Sequence, residues 1–146
     1  MKDEIFFDTN IICYAYDSTE PSKRKICERL VEQVFNGEIS GVISNQILVE
    51  LFNSLTRKLD VPVQKANIIV KALISSEHWK KINYSDYTVN KALNNSERYD
   101  VPFLDVLIAE TMKENGVSKI ITENEKDFRK IPVITISNPF GPKTYP

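Results

Sequence analysis

Short runs of β-branched and aromatic residues alternate along this chain with longer stretches whose apolar residues recur at helical spacing, and that alternation restricts the fold more than any other feature. The runs IFF (5–7), SGVIS (40–44), KIIT (119–122) and PVITIS (132–137) each have the length of a strand buried on both faces. HWKKINY (78–84) is a weaker fifth, because Trp79, Ile82 and Tyr84 do not alternate cleanly. Between the runs, Ile26, Leu30, Val31 and Val34 share one helical face, and Ile47, Leu48, Leu51 and Leu55 form another stripe. The spacing predicts further helices over 63–75, 86–98 and 103–115, the last stopped by Gly116 as the residue just past the helix end.

Strands alternating with helices imply a parallel sheet with helices on both sides, joined by right-handed crossovers, with ligands at the carboxyl ends of the strands. The expected class is therefore α/β, a three-layer α/β/α domain. A length of 146 residues suits one domain with one core. The predicted division is a single domain over residues 1–140 and a turn-rich tail over 141–146.

A net charge of −1 excludes binding to nucleic acid by bulk positive charge, so any such contact must be local. The basic clusters are Lys23, Arg24 and Lys25; Arg57 and Lys58; and Lys126, Arg129 and Lys130. Each has a bland reading as a solvated face, and the third is the best placed to touch phosphates. Cys13 and Cys27 match neither a redox pair nor a zinc ligand set and read as reduced thiols in or near the core. The first residues carry too short an apolar run for a signal peptide, and no window approaches the ~20 apolar residues of a membrane span. A cytoplasmic protein is expected.

Four positions stand out against this background. Asp8 ends an apolar strand and begins the triplet Asp8-Thr9-Asn10, all good helix caps; it is either a cap or one ligand of a site. Glu50 flanks the apolar stripe of its helix, where most glutamates are simply solvated. Asp105 lines up on a helix with Val101, Ile108, Ala109 and Met112, so its face is the buried one. A carboxylate there is costly unless a cation or several donors compensate it; the rival reading is an acid favoured by the helix dipole just after Pro102. Asn124, with Asp127 three residues on, reads as a cap that also sits at a strand's carboxyl end.

If the first and fourth strands are neighbours, these groups meet. Carboxylates so close either take up protons or hold a cation, and oxygen ligands without a cysteine or histidine cluster favour Mg²⁺ or Mn²⁺. Phosphate chemistry is the natural use of such a site. His78, the one histidine, cannot supply the acid–base pair of a metal-independent ribonuclease and reads as a packing or surface residue.

These residues resemble the PIN domain family, and within it the small VapC-type toxin ribonucleases. FFDTNIICYAYD looks like the family's opening strand with its D-T-N, ISNQILVELFN like its S-x-x-x-x-x-E helix, FLDVLIAETMKENG like its D-x-x-I-A helix, and IITENEKDF with the later NPF like its closing elements. The resemblance implies a parallel sheet of about five strands and a Mg²⁺- or Mn²⁺-dependent endoribonuclease. By motif, Asp8, Glu50 and Asp105 would be the catalytic, metal-binding acids, Asn124 would take the fourth metal position, and Thr9 and Ser44 would be supporting hydroxyls. Many members carry aspartate where this chain has Asn124; of Glu123, Glu125 and Asp127, the last is the expected compensator. The resemblance further implies a homodimer, an RNA substrate and a cognate antitoxin. Rival readings are a non-catalytic interaction module and a nuclease of RNA maturation. A receiver-type phosphoacceptor fits less well, because Glu50 and Asp105 lie on predicted helices.

Overall fold

The computed structural model describes residues 3–141 and builds one five-stranded sheet. The strands are β1 (Glu4–Phe7), β2 (Ser40–Ser44), β3 (Trp79–Ile82), β4 (Lys119–Ile121) and β5 (Thr135–Ser137), in the order β3-β2-β1-β4-β5. Every pairing is parallel. The connecting helices are α1 (Thr9–Tyr14), α2 (Pro21–Phe35), α3 (Asn45–Arg57), α4 (Val63–Ser75), α5 (Asp86–Tyr99), α6 (Phe103–Glu114) and α7 (Glu125–Phe128).

Right-handed crossovers fix the layers. The chain steps from β1 to β2 to β3 in one direction, which puts α1 to α4 on one face; it then returns past β1 to β4 and β5, which puts α5 to α7 on the other. The packing agrees: α1 meets α2 and α3, α3 meets α4, α5 meets α6, and α6 meets α7. The strand order reverses between β1 and β4, and this switch point opens a crevice at their carboxyl ends.

The central strands are buried as the apolar runs predict. Phe6, Phe7, Val42, Ile43 and Ile120 are inaccessible to solvent, and Trp79 on the weakly predicted β3 packs edge-on against Phe7 with ring centroids 5.0 Å apart. Gly41 lets β2 run close beneath α2, since a Cβ there would stand 2.6 Å from a methyl of Val34. Gly116, at φ +71°, ends α6 as predicted, and the Val117 amide donates back to the Met112 carbonyl at 2.9 Å.

The last strand differs from expectation. It begins at Thr135 instead of Pro132, because the chain turns through Val133 at φ +74°. It is also an edge strand, paired only with β4, with Thr135 and Ser137 exposed and Ile136 half-buried. Burial on both faces needs neighbours that an edge lacks. Helix α1 starts at Thr9, two residues before the apolar pair Ile11–Ile12 suggests. Of the predicted tail over 141–146, all but Gly141 lies outside the described residues. Among the described residues no helix is long and apolar enough to cross a membrane.

Candidate active site

Asp8 follows the end of β1 and is the cap of the helix that comes next. Its Oδ1 accepts the Thr9 amide at 2.8 Å and so caps α1, while its Oδ2 accepts the Thr122 hydroxyl at 2.7 Å and the Asn10 amide group at 3.3 Å. The Thr122 hydroxyl in turn accepts the Asn124 amide N–H at 2.9 Å, so a chain of hydrogen bonds joins the ends of β1 and β4. Asp8 is buried. Burial pushes its carboxyl above the ordinary range, and the bonds from Thr122, Thr9 and Asn10 pull back the other way.

Glu50 comes from α3. Ser44 caps that helix, its Oγ accepting the Ile47 amide at 3.3 Å, and is wholly buried. The hydroxyl caps the helix that carries Glu50 and does not line the crevice. The Gln46 amide donates to Glu50 Oε1 at 2.8 Å and to the Leu104 carbonyl at 3.2 Å, which ties α3 to α6. Burial raises the Glu50 carboxyl, the Asp8 charge adds to the rise, and Gln46 and Lys58 oppose it.

Asp105 lies in the first turn of α6, half-buried, with its carboxyl pushed up to about 7. Burial is the main cause, followed by the charges of Asp8, Asp127 and Glu50. Asn124 softens this crowding: its Nδ2 donates to Asp105 at 3.4 Å and to Asp127 at 3.1 Å. Its Oδ1 accepts the Asp127 amide at 3.4 Å as the cap of α7, so its acceptor is turned toward that helix. Asp127 stands beside Asp105, behind the wall of the crevice.

Asp8, Thr9, Glu50, Asp105 and Asn124 thus line one cavity of about 330 Å³. Sequence reasoning missed two further stripes. Ser54 on α3 and Lys58 just past its end also line it, one and two turns beyond Glu50. Asn10, Cys13 and Asp17, spaced three and four apart, contribute from the other side. Both stripes were readable as polar residues at helical spacing from a flagged acid. Cys13 and Cys27 are free thiols, and burial pushes the Cys13 thiol up to about 11.

The basic groups are disposed otherwise than expected. Lys58 reaches the crevice, while no member of the Lys126, Arg129 and Lys130 cluster lines it. Lys130 donates instead to the Asp100 carbonyl at 3.1 Å. Lys23 meets Glu123 at 2.5 Å, and the Tyr14 hydroxyl donates to the same carboxylate at 2.6 Å, which braces α1 and α2 against the end of β4. His78 is exposed at the surface, beside Gly37.

The donor set suits a hard divalent cation. It is all oxygen, the Thr9 hydroxyl is buried without a partner, and among the described residues no lysine or arginine forms an ion pair with Asp8, Glu50 or Asp105. No three acid, histidine or cysteine side chains among the described residues already converge on a single chelation point. The acids line a common space; they are not a closed cage.

Comparison with known proteins places the fold. The family model of the PIN domain matches residues 5–134. A toxin-antitoxin complex from Klebsiella pneumoniae superposes with a TM-score of 0.64 at 21% identity, over 92% of this chain and 97% of that one. VapC20 of Mycobacterium tuberculosis, a toxin that cleaves the sarcin-ricin loop, gives 0.68 at 16% identity over 86% and 93%. VapBC2 from Rickettsia felis, bound to a fragment of its promoter DNA, gives 0.66 at 20% identity over 92% and 98%. At these identities the likeness is one of fold. A search of curated proteins finds no match.

Proposed function

The chain belongs to the PIN domain family, and from that premise we propose that it is a divalent-metal-dependent endoribonuclease, the toxin of a toxin-antitoxin pair. The observation that carries the proposal is the gathering of Asp8, Glu50 and Asp105 around one crevice with no basic side chain among the described residues ion-paired to them. In this reading Asp8, Glu50 and Asp105 hold the cation, with the Asn124 amide oxygen as a weaker fourth contact once it turns from α7. A bound Mg²⁺ or Mn²⁺ supplies charge neutralisation at the phosphodiester and activation of water for in-line attack.

The chain's own groups do the rest. Thr9, Asn10 and Thr122 fix the Asp8 carboxylate in one orientation. Lys58 pairs with a phosphate of the incoming strand, and Asp127 adds negative charge behind Asp105. The nuclease domain spans residues 1–140, with 141–146 as its tail. It acts in the cytoplasm as a homodimer. It is silenced by a cognate antitoxin, and this part of the reading is supported by the toxin-antitoxin assemblies among proteins of the same fold.

The test is cleavage of single-stranded RNA by the purified chain in Mg²⁺. Asp8→Asn is expected to stop cleavage while circular dichroism and melting temperature hold. Equal rates for Asp8→Asn and the parent contradict the proposal. A second reading, a binding module without turnover, draws on two observations: the acids share no chelation point, and Asn124 brings no charge. It predicts no Mg²⁺-dependent cleavage by the parent either.

A further inference from the structure

Glu50 walls a second cavity as well as the acid crevice. This one, of about 340 Å³, is bounded by Asn45, Gln46 and Val49 of α3, by Asn83 and Tyr84 after β3, and by Leu104 of α6. We propose that it is the subsite for one base of a single-stranded RNA whose backbone crosses the acid crevice. Tyr84 is the stacking platform, and the Asn45 and Asn83 side chains read the edge of the base. The inference rests on the nuclease reading above and adds where the base beside the reacting phosphate goes.

Chemistry selects this occupant. The volume lies at the lower end of small-ligand sites, and the wall is largely apolar with a few amides, which is the usual make-up of such a site. Apart from Glu50 the wall carries no charge, so it suits a neutral group better than a phosphate. Val49 is 71% and Leu104 54% exposed, a large apolar surface beside a catalytic acid. Neither the Asn45 nor the Asn83 side chain makes a hydrogen bond among the described residues. An amide offers both a donor and an acceptor, as base edges do, and single-stranded RNA is recognised by stacking on aromatic rings plus such bonds.

The cavity is also coupled to the reacting centre. Gln46 forms part of the partition, holding Glu50 Oε1 at 2.8 Å and the Leu104 carbonyl at 3.2 Å. The opposite wall is anchored, because Asn115 donates to the Asn83 carbonyl at 3.4 Å. An apolar protein side chain in the same place would leave the exposed amides unpaired.

Two measurements decide it. In an NMR titration of the parent with the four nucleosides and with ribose, the Tyr84 ring and the Asn45 and Asn83 side-chain amides are expected to shift with nucleosides, unequally among the bases, and not with ribose. No shift with any nucleoside, as for a cavity that takes a protein side chain, or equal shifts with ribose, overturns the proposal. In a random pool of single-stranded RNA cleaved in Mg²⁺, the sequenced ends are expected to show a base preference next to the cut. Tyr84→Ala should flatten it and lower kcat/KM by roughly 5–100-fold, mainly through KM, while Tyr84→Phe keeps it. A preference unchanged in Tyr84→Ala and Asn83→Ala overturns the subsite and leaves the nuclease standing. A parent that cuts nothing overturns the nuclease, and the nucleoside titration still decides whether the cavity takes a base.

Discussion

Two of the three carboxylates on helix α6 are treated in opposite ways by their surroundings. Glu110, in the middle of the helix, is 2% exposed and fully provided for: Asn95 donates at 3.0 Å, and Lys113 and Lys91 stand at 3.4 and 3.7 Å. Asp105, in the first turn, is half-buried among other acids, and its nearest polar company is Asn124 and Asp127. A carboxylate that serves the fold acquires its donors as the chain folds. Asp105, as proposed above for a group that serves chemistry, is left with a charge imbalance that something from outside would offset.

The sharpest way to break this contrast is to neutralise Asp105. Asp105→Asn is expected to reduce RNA cleavage by on the order of 100-fold or more, without loss of melting temperature. If cleavage survives, Asp105 and Glu110 do not differ in kind. The converse substitution, Glu110→Ala, should cost roughly 2–4 kcal/mol in urea unfolding, because Asn95 and the two lysines lose their partner, while cleavage per folded molecule stays close to the parent's.

The contrast was only half legible in the sequence. The alternation of strand and helix periods sufficed for a parallel sheet and four of its strands, and Trp79, on the weaker run that does not alternate cleanly, marks the fifth. Asp105 stood out because a charge on an apolar helix face is rare, and Asp8 because it ends a strand; the structure brings both to one cavity. Glu110 shares that helix, yet its harmlessness depends on Asn95 and Lys91 of α5, a tertiary pairing that no local pattern encodes. Ser44 illustrates the reverse: a hydroxyl expected near the site acts by capping the helix that carries Glu50. Lys58 was read only as part of a basic cluster with Arg57, on a solvated face, when its spacing from Glu50 was the useful signal.

A pH series sharpens the same comparison. Burial pushes the Asp105 carboxyl up to about 7 in the folded chain, against 3.8 ordinarily, so the unfolded state releases this proton first. The metal-free fold is then at its most stable, as far as this group is concerned, below about pH 4, and it loses that advantage as the pH rises through about 7. Asp8 and Glu50 are raised too and add in the same direction. Urea midpoints should therefore fall over this window, and less steeply in Asp105→Asn.

Thr122→Val makes the smallest change. It removes the 2.7 Å hydroxyl bond to Asp8, which should cost about 1 kcal/mol. Cleavage should fall on the order of 10-fold, with the acidic limb of its pH profile moved upward as Asp8 loses a donor that favours its charged form.

Calorimetric titration with Mn²⁺ of the parent, Asp105→Asn and Glu110→Gln tests the central claim most directly. Binding by the parent and by Glu110→Gln, abolished in Asp105→Asn, is the predicted result. A parent that takes up no Mn²⁺, or an Asp105→Asn protein that binds it as tightly as the parent, contradicts the account.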